Sequence, residues 1–132
     1  MEIAGETPKL HHIAFEVEPD EIAAEGGFWR AAGFEEVEAP AALGTGFAWF
    51  ESGGTQIHLM PVENPSLPPS RGHVAIVARD LDRAIDHIKR LGCEVKEGRQ
   101  LWGARRFKAI TPAGHTVELM AAPPSPATGS RH

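Results

Sequence analysis

The stretch GHVAIVARDLDRAIDHIKRLG, residues 72–92, predicts a strand followed at once by a helix. Its first seven residues are rich in valine and isoleucine, as strands are. Asp80 stands where a helix N-cap is expected, and Gly92 stands where the helix should end. The apolar residues between them recur at helical spacing and form one stripe: Leu81, Ala84, Ile85, Ile88 and Leu91.

The same pattern occurs about sixty residues earlier in the chain. HIAF at 12–15 matches HVAI at 73–76, and QIHLM at 56–60 matches TVELM at 116–120. Five such landmarks keep their order, at offsets that stay between 59 and 61. Because chance does not readily supply an ordered set of matches, the chain is predicted to be an internal duplication.

Each copy is predicted to be a βαβββ module. In the first, the strands are expected at 10–17, 34–38, 47–52 and 55–60, with a helix from Asp20 to Ala32 that ends at Gly33. In the second, they are expected at 72–78, 93–96, 105–110 and 115–120. The prediction is an α+β fold of one domain, with two tandem modules forming an open, curved mixed sheet around a shared cavity. Module 1 spans about 9–61, a proline-rich linker 62–71, module 2 about 72–122, and a disordered tail 123–132.

Composition limits the classes of function. The 132 residues suit one globular domain, with 42% hydrophobic and 23% charged residues. A formal charge of −5 with no basic run argues against nucleic acid or an anionic membrane surface as partner. No apolar run reaches the roughly 18 residues of a membrane span. The lone Cys93 excludes an internal disulfide and suits a cytoplasmic protein.

Strand alternation places four side chains of the kinds that bind metal ions on the strand faces that point away from the helices. If Ile13, Phe15 and their counterparts face the helices, the residues between them face the opposite way. These intervening residues include His12, His58, His73 and Glu118. Singly, each is more often a structural polar residue. Together they favour a site for a divalent metal ion, with Zn²⁺, Ni²⁺, Mn²⁺, Co²⁺ and Fe²⁺ all open.

Aromatic and basic side chains are candidates for a substrate wall. A two-residue turn at Gly53-Gly54 would pair Trp49 with His58, so Trp49 and Phe47 would share the face of His58. They would pack against a small organic substrate or, nearly as well, fill a small core. Arg106 and its neighbour Arg105 could steer an anionic group or lie on a solvated edge, and the length of the second turn leaves their faces open. His11 is expected on the opposite face from His12, and Lys108 is expected to be exposed.

These features resemble the vicinal oxygen chelate superfamily, which includes glyoxalase I, fosfomycin-resistance enzymes, extradiol dioxygenases and bleomycin-resistance proteins. The openings LHHIAFEV and GHVAIVARDLD, the junction FWRAAGFEEV and the close TPAGHTVEL carry the resemblance over about residues 9–122. It implies metal ligands at His12, His58, His73 and Glu118. His58 stands where glyoxalase I typically has glutamate, so Glu118 is the one carboxylate left to move a proton.

The resemblance implies a glyoxalase-like metal-dependent enzyme and, as in many relatives, a homodimer. Its substrate would be a small molecule chelated through two adjacent oxygens, with lyase- or isomerase-type proton transfer or addition. Two alternatives remain open. One is an Fe²⁺ extradiol-type dioxygenase that uses His12, His73 and Glu118 as its triad. The other is a bleomycin-type drug-binding protein without catalysis.

Overall fold

The computed structural model describes residues 7–124, which form two modules of the same plan. The first comprises β1 (His12–Val17), α1 (Ile22–Ala32), β2 (Glu35–Val37), β3 (Ala48–Ser52) and β4 (Thr55–Pro61). The second comprises β5 (Val74–Val77), α2 (Leu81–Arg90), β6 (Val95–Glu97), β7 (Arg106–Ile110) and β8 (Thr116–Met120). The predicted α+β class and tandem βαβββ modules are confirmed. The predicted tail lies outside the described residues from position 125 onward.

Each module builds a mixed sheet of its own. The strand order is β1-β4-β3-β2 in the first sheet and β5-β8-β7-β6 in the second. The outer pairs β1–β4 and β5–β8 are parallel, and the remaining pairs are antiparallel. No strand of residues 7–124 pairs across the two sheets, so the one open sheet expected from the sequence is two sheets, with β1 and β5 at their edges.

The hairpin of the first module has the predicted register. Trp49 pairs with His58, and Ser52 pairs with Thr55. Gly53 and Gly54 have φ of 57° and 87°, the positive values that a tight two-residue hairpin turn requires. Because side chains alternate along a strand, this register decides that Trp49 lies on the face of His58.

The two helices begin differently. Asp80 caps α2 as predicted, since its side chain accepts a hydrogen bond from the Arg83 N–H at 3.2 Å. The predicted cap at Asp20 is wrong. Pro19 opens a single 3₁₀ turn, Pro19–Glu21, that contains Asp20, and α1 then starts after Glu21 without a side-chain cap. Proline favours the first position of a helical turn, and this moves the start of the helix past the aspartate.

The modules dock through their helix-covered faces. Helix α1 packs against α2, and one cluster of buried hydrophobic residues includes Phe50 and Leu59 of the first module and Ile88 and Leu119 of the second. By strand alternation, the opposite faces of both sheets point away from this core. No helix within residues 7–124 has the length and hydropathy needed to cross a membrane.

A buried carboxyl group crosses the contact between the modules. Glu25 of α1 is fully buried, and its Oε1 accepts a hydrogen bond from the Ala113 N–H in the second module at 2.8 Å. Burial raises the pKa of Glu25, an effect that hydrogen bonds with the Thr111 side chain and the Ala113 N–H partly offset. Nothing in the sequence singled out this residue, because its partner is 88 positions away.

Candidate metal centre

Two of the predicted ligands meet on the outer face of the first sheet. The imidazoles of His12 and His58 are stacked, with centroids 4.1 Å apart and planes inclined by 15°. The indole of Trp49 covers His58 from the other side, with centroids 3.7 Å apart. Because it lies between two rings, the His58 residue is only 6% exposed although it lies on the polar face.

A chain of hydrogen bonds orients the His58 ring. The Gln56 side-chain nitrogen Nε2 donates a hydrogen bond to Glu51 Oε1 at 2.8 Å. This turns the Gln56 side-chain oxygen Oε1 toward His58 Nε2, which lies 2.7 Å away. A carbonyl oxygen can only accept, so His58 Nε2 carries the proton of that hydrogen bond. His58 Nδ1 is therefore the nitrogen left with a lone pair for a ligand.

A third imidazole joins this cluster. His11 was expected on the opposite face from His12, and that prediction is wrong. Its Nδ1 lies 3.0 Å from His12 Nδ1, and its ring centroid lies 6.4 Å from that of His58. Strand β1 begins at His12, so strand alternation does not reach His11. The pKa of His58 is lowered by burial first, and then by the proximity of His12 and His11.

The other two predicted ligands meet on the outer face of the second sheet. His73 Nε2 lies 3.3 Å from Glu118 Oε1, and Glu118 is almost fully buried. His73 Nδ1 lies 3.0 Å from the Arg71 carbonyl oxygen, to which it must donate. That hydrogen bond leaves His73 Nε2 as the nitrogen with a lone pair, on the side of Glu118.

Arg106 is held against Glu118. Its Nη1 donates to Glu118 Oε2 at 3.1 Å, its Nε donates to the Arg99 carbonyl at 2.7 Å, and its guanidinium lies over the Trp102 ring. Arg106 pairs with Met120 of β8, and Met120 lies on the same face of the sheet as Glu118. Arg106 therefore shares the face of Glu118, which the sequence had left open. Arg105, by contrast, lies outside β7 and forms exposed ion pairs with Asp82 and Glu97.

The four ligand candidates form two half-sites on separate sheets. We call His12 and His58 the first half-site, and His73 and Glu118 the second. Among residues 7–124, no group of three or more His, Cys, Asp or Glu side chains is placed to hold one metal ion. Each half-site lies on the face of its sheet that points away from the core shared by the two modules.

The remaining candidates have mixed surroundings. Phe47 is half-buried immediately before β3, and Lys108 is exposed as expected. The ring of His115 packs on Phe15 with centroids 4.6 Å apart, on the side of the core. His73 also borders a cavity of about 340 Å³ between β1 and the start of β5, together with Glu16 and Pro68 of the linker.

A family model matches nearly all of this duplicated fold. Residues 9–119 match the Glyoxalase/Bleomycin resistance protein/Dioxygenase superfamily. The chain belongs to this superfamily. The match spans both half-sites and the linker, so the resemblance expected from the sequence is confirmed. The search of curated proteins gives no match.

Solved structures of the superfamily share the fold. A glyoxalase family protein from Bacillus anthracis has a TM-score of 0.75 at 23% identity, over 89% of this chain and 98% of its own. Lactoylglutathione lyase from Agrobacterium tumefaciens has a TM-score of 0.63 at 20% identity, over 87% and 94%. The fosfomycin resistance protein FosX from Listeria monocytogenes has a TM-score of 0.69 at 24% identity, over 92% and 93%. That FosX structure holds Mn(II) and 1S,2S-dihydroxypropylphosphonic acid.

Proposed function

We propose that the protein is a metal-dependent enzyme of the glyoxalase type whose metal site is completed between two copies of the chain. In this proposal, His12 and His58 of one chain and His73 and Glu118 of the other hold one divalent ion. A two-fold symmetric dimer would contain two such sites, because each chain supplies one half-site to each. We expect the protein to act in the cytoplasm on a small organic molecule.

One observation carries the proposal. Ligand-type side chains stand at matching places of the two modules, yet each module holds only a pair: His12 with His58 at 4.1 Å between centroids, and His73 with Glu118 at 3.3 Å. Two ligands do not fill the coordination sphere of a transition metal. Because both half-sites lie on faces turned away from the core, a second chain is the natural source of the missing pair.

The edges of the sheets support the same assembly. Strand β1 carries His12 and strand β5 adjoins His73, and within residues 7–124 both are edge strands that pair with another strand on one side alone. Exposed edges of this kind are usually covered by another chain or by charged side chains. Val77 at the edge of the second sheet is 52% exposed, which also favours a covering partner.

The side chains fit the group that the superfamily implies. Three imidazoles and one carboxylate suit Zn²⁺, Ni²⁺, Mn²⁺, Co²⁺ or Fe²⁺. Such an ion would supply Lewis-acid stabilisation of negative charge on two adjacent substrate oxygens. Within the protein, Trp49 and Phe47 would pack the substrate and Arg106 would fix Glu118. Glu118 is the candidate to move a proton, since it is the one carboxylate among the four ligands.

Metal reconstitution tests the proposal. The protein is stripped with chelator, incubated with each of the five ions and desalted, and the bound metal is measured. We expect about one ion per chain, lost in His73→Ala and in His58→Ala but kept in the control His87→Gln on α2. Less than about half an ion per chain for every metal, with no change in His73→Ala, would contradict the proposal.

A panel of substrates then separates the activities within the superfamily. The loaded protein is assayed with methylglyoxal hemithioacetal, with fosfomycin in the presence of water or thiols, and with a catechol under Fe²⁺ loading. Turnover of either of the first two supports the glyoxalase type. Oxygen consumption with the catechol would favour the dioxygenase alternative, and tight bleomycin binding by metal-free protein would favour the sequestering alternative.

A further inference from the structure

The two sheets carry matching rows of side chains through their half-sites. In the first sheet, Val37 pairs with Trp49, which pairs with His58, which pairs with Ala14 on β1. In the second sheet the row has the same order from β6 to β5: Lys96, Lys108, Glu118 and Ala75. Cross-strand partners share a face, so each row lies on the same outer face as its half-site.

The two rows are of opposite character. Beside His58 the first sheet places Val37 and Trp49, an apolar pair. At the matching places beside Glu118, the second sheet places Lys96 and Lys108, two cations. The next position repeats the contrast, because Arg106 opposite Met120 corresponds to Phe47, one residue before β3. The duplicated fold therefore has an apolar wall at one half-site and a cationic wall at the other.

Lys96 and Lys108 form a lysine pair that has no ion-pair partner among the described residues. Lys96 and Lys108 face each other directly on neighbouring strands, an arrangement that costs stability between like charges. Within residues 7–124 neither forms an ion pair. Glu118, opposite Lys108, already accepts a hydrogen bond from Arg106 at Oε2, and its Oε1 lies 3.3 Å from His73 Nε2. In the same range Arg79, Arg83 and Lys89 also form no ion pair, so what distinguishes Lys96 and Lys108 is that they face each other in the row of Glu118.

The carboxylates of the first sheet do not compete for this role. Glu35 and Glu51 face each other next to the hairpin turn, one row away from Trp49. Glu51 accepts the hydrogen bond from Gln56 that orients His58, so it is already engaged. Lys96 and Lys108 thus form no ion pair within residues 7–124, and a bound anion would neutralise them.

We infer that the substrate is an amphipathic organic anion: its apolar part lies on Trp49 and Val37, and its carboxylate or phosphonate binds Lys96 and Lys108. This inference rests on the proposed function, because the dimeric site places the first row of one chain and the second row of its partner beside the same metal ion.

Three matched probes test the inference on metal-loaded protein. 3,4-Dihydroxybenzoate, its neutral amide and 3,4-dihydroxybenzylamine offer the same pair of adjacent oxygens and carry an anionic, a neutral and a cationic distal group, respectively. Isothermal titration calorimetry gives the dissociation constant of each. We expect the acid to bind about fivefold to tenfold more tightly than the amide, and the amine to bind most weakly.

The variant Lys96→Gln/Lys108→Gln separates the lysine row from the rest of the site. The preference for the acid over the amide should fall to within about twofold in this variant, and the control Lys89→Gln on α2 should keep it. Removing two facing cations relieves repulsion, so the variant should fold. Equal binding of acid and amide by the wild-type protein, or a preference for the amine, would overturn the inference.

Phenylphosphonate titrated into metal-free protein distinguishes failure of the inference from failure of the proposed function. If the chain takes up no metal but binds phenylphosphonate in a way that Lys96→Gln/Lys108→Gln abolishes, the proposed function fails and the anion site stands. If the chain takes up metal but wild type and variant bind every probe alike, the metal site stands and the inference fails.

Discussion

The indole of Trp49 lies flat on the imidazole of His58, with ring centroids 3.7 Å apart and planes inclined by 2°. His12 stacks on the other face of the same imidazole. His58 is thus clamped between two rings and hydrogen-bonded at Nε2 by Gln56. Its remaining freedom is small, so its Nδ1 lone pair is held in one direction within the ring plane, and the nearly parallel ring of His12 must turn off the stack to bind the same ion.

Removing the indole should weaken metal binding. In Trp49→Ala the His58 ring loses one wall of its clamp, and we expect metal affinity to fall about tenfold, the usual effect of losing a residue that orients a ligand. Trp49→Phe keeps a flat ring and should lose much less. Competition with a fluorescent chelator measures both. Unchanged affinity in Trp49→Ala would show that the stack does not orient His58.

Two neighbouring glycines of α1 should respond in opposite ways to alanine. A Cβ at Gly26 would lie 2.8 Å from Phe50 Cζ in the core, whereas a Cβ at Gly27 would meet nothing within 4 Å. Gly26→Ala should lower the free energy of unfolding by about 1–2 kcal/mol, net of its gain in helix propensity. Gly27→Ala should raise it by up to about 1 kcal/mol. Urea unfolding compares them, and stabilisation by Gly26→Ala would contradict the packing.

Glu25 should make stability fall as pH rises. Burial raises its pKa in the folded chain above the usual 4.5, so the folded state binds more protons than the unfolded state between these two values. The stabilising proton is present below pH 4.5 and is lost as pH rises through the folded pKa. Glu25→Gln has no titrating group at this position. Its free energy of unfolding should therefore vary less with pH over this range and should rise relative to that of the wild type as pH rises.

A second variant of Glu25 tests the hydrogen bond that its side chain accepts from the Ala113 N–H. Glu25→Ala leaves the buried N–H of Ala113 without its acceptor, so its unfolding free energy should lie about 1–3 kcal/mol below that of Glu25→Gln at all pH values. Urea unfolding from pH 4 to pH 8 distinguishes the two variants. Parallel curves for the wild type and Glu25→Gln would mean that Glu25 does not titrate abnormally.

The different starts of the two helices predict different stabilities for two aspartate variants. Asp80→Ala removes the acceptor for the Arg83 N–H and should cost about 1 kcal/mol. Asp20→Ala, in the turn before α1, removes no capping bond and should change stability by less than about 0.5 kcal/mol. Thermal unfolding of both variants measures the difference. A larger loss for Asp20→Ala would restore the cap predicted from the sequence.

Local chemistry made much of the fold predictable. The pairing of Trp49 with His58 followed from Gly53-Gly54, because a two-residue turn fixes the register of a hairpin. The start of α2 followed from Asp80 and its stripe of apolar residues. The same logic failed at Asp20, where Pro19 opens a separate turn, and at His11, which precedes the strand. These errors come from element boundaries, which periodicity defines poorly.

The meeting of the ligands could not be predicted in the same way. Alternation assigned His12, His58 and Glu118 to the outer faces of the sheets, but it says nothing of how one sheet sits relative to another. That depends on α1 packing against α2 and on the contact between Glu25 and Ala113, which join distant parts of the chain. Likewise, the partner of Arg106 became evident only once the register of β7 on β8 was known.

A heterodimer of two chains, each damaged in a different half-site, tests most directly whether the metal site forms between two chains. His58→Ala damages only the first half-site and His73→Ala only the second, so each homodimer should bind no metal tightly. A heterodimer, isolated with two affinity tags, places both substitutions in one site and leaves the other intact. The account predicts about one ion per heterodimer. No recovery of metal in the heterodimer, or full binding by a monomeric wild-type chain, would contradict it.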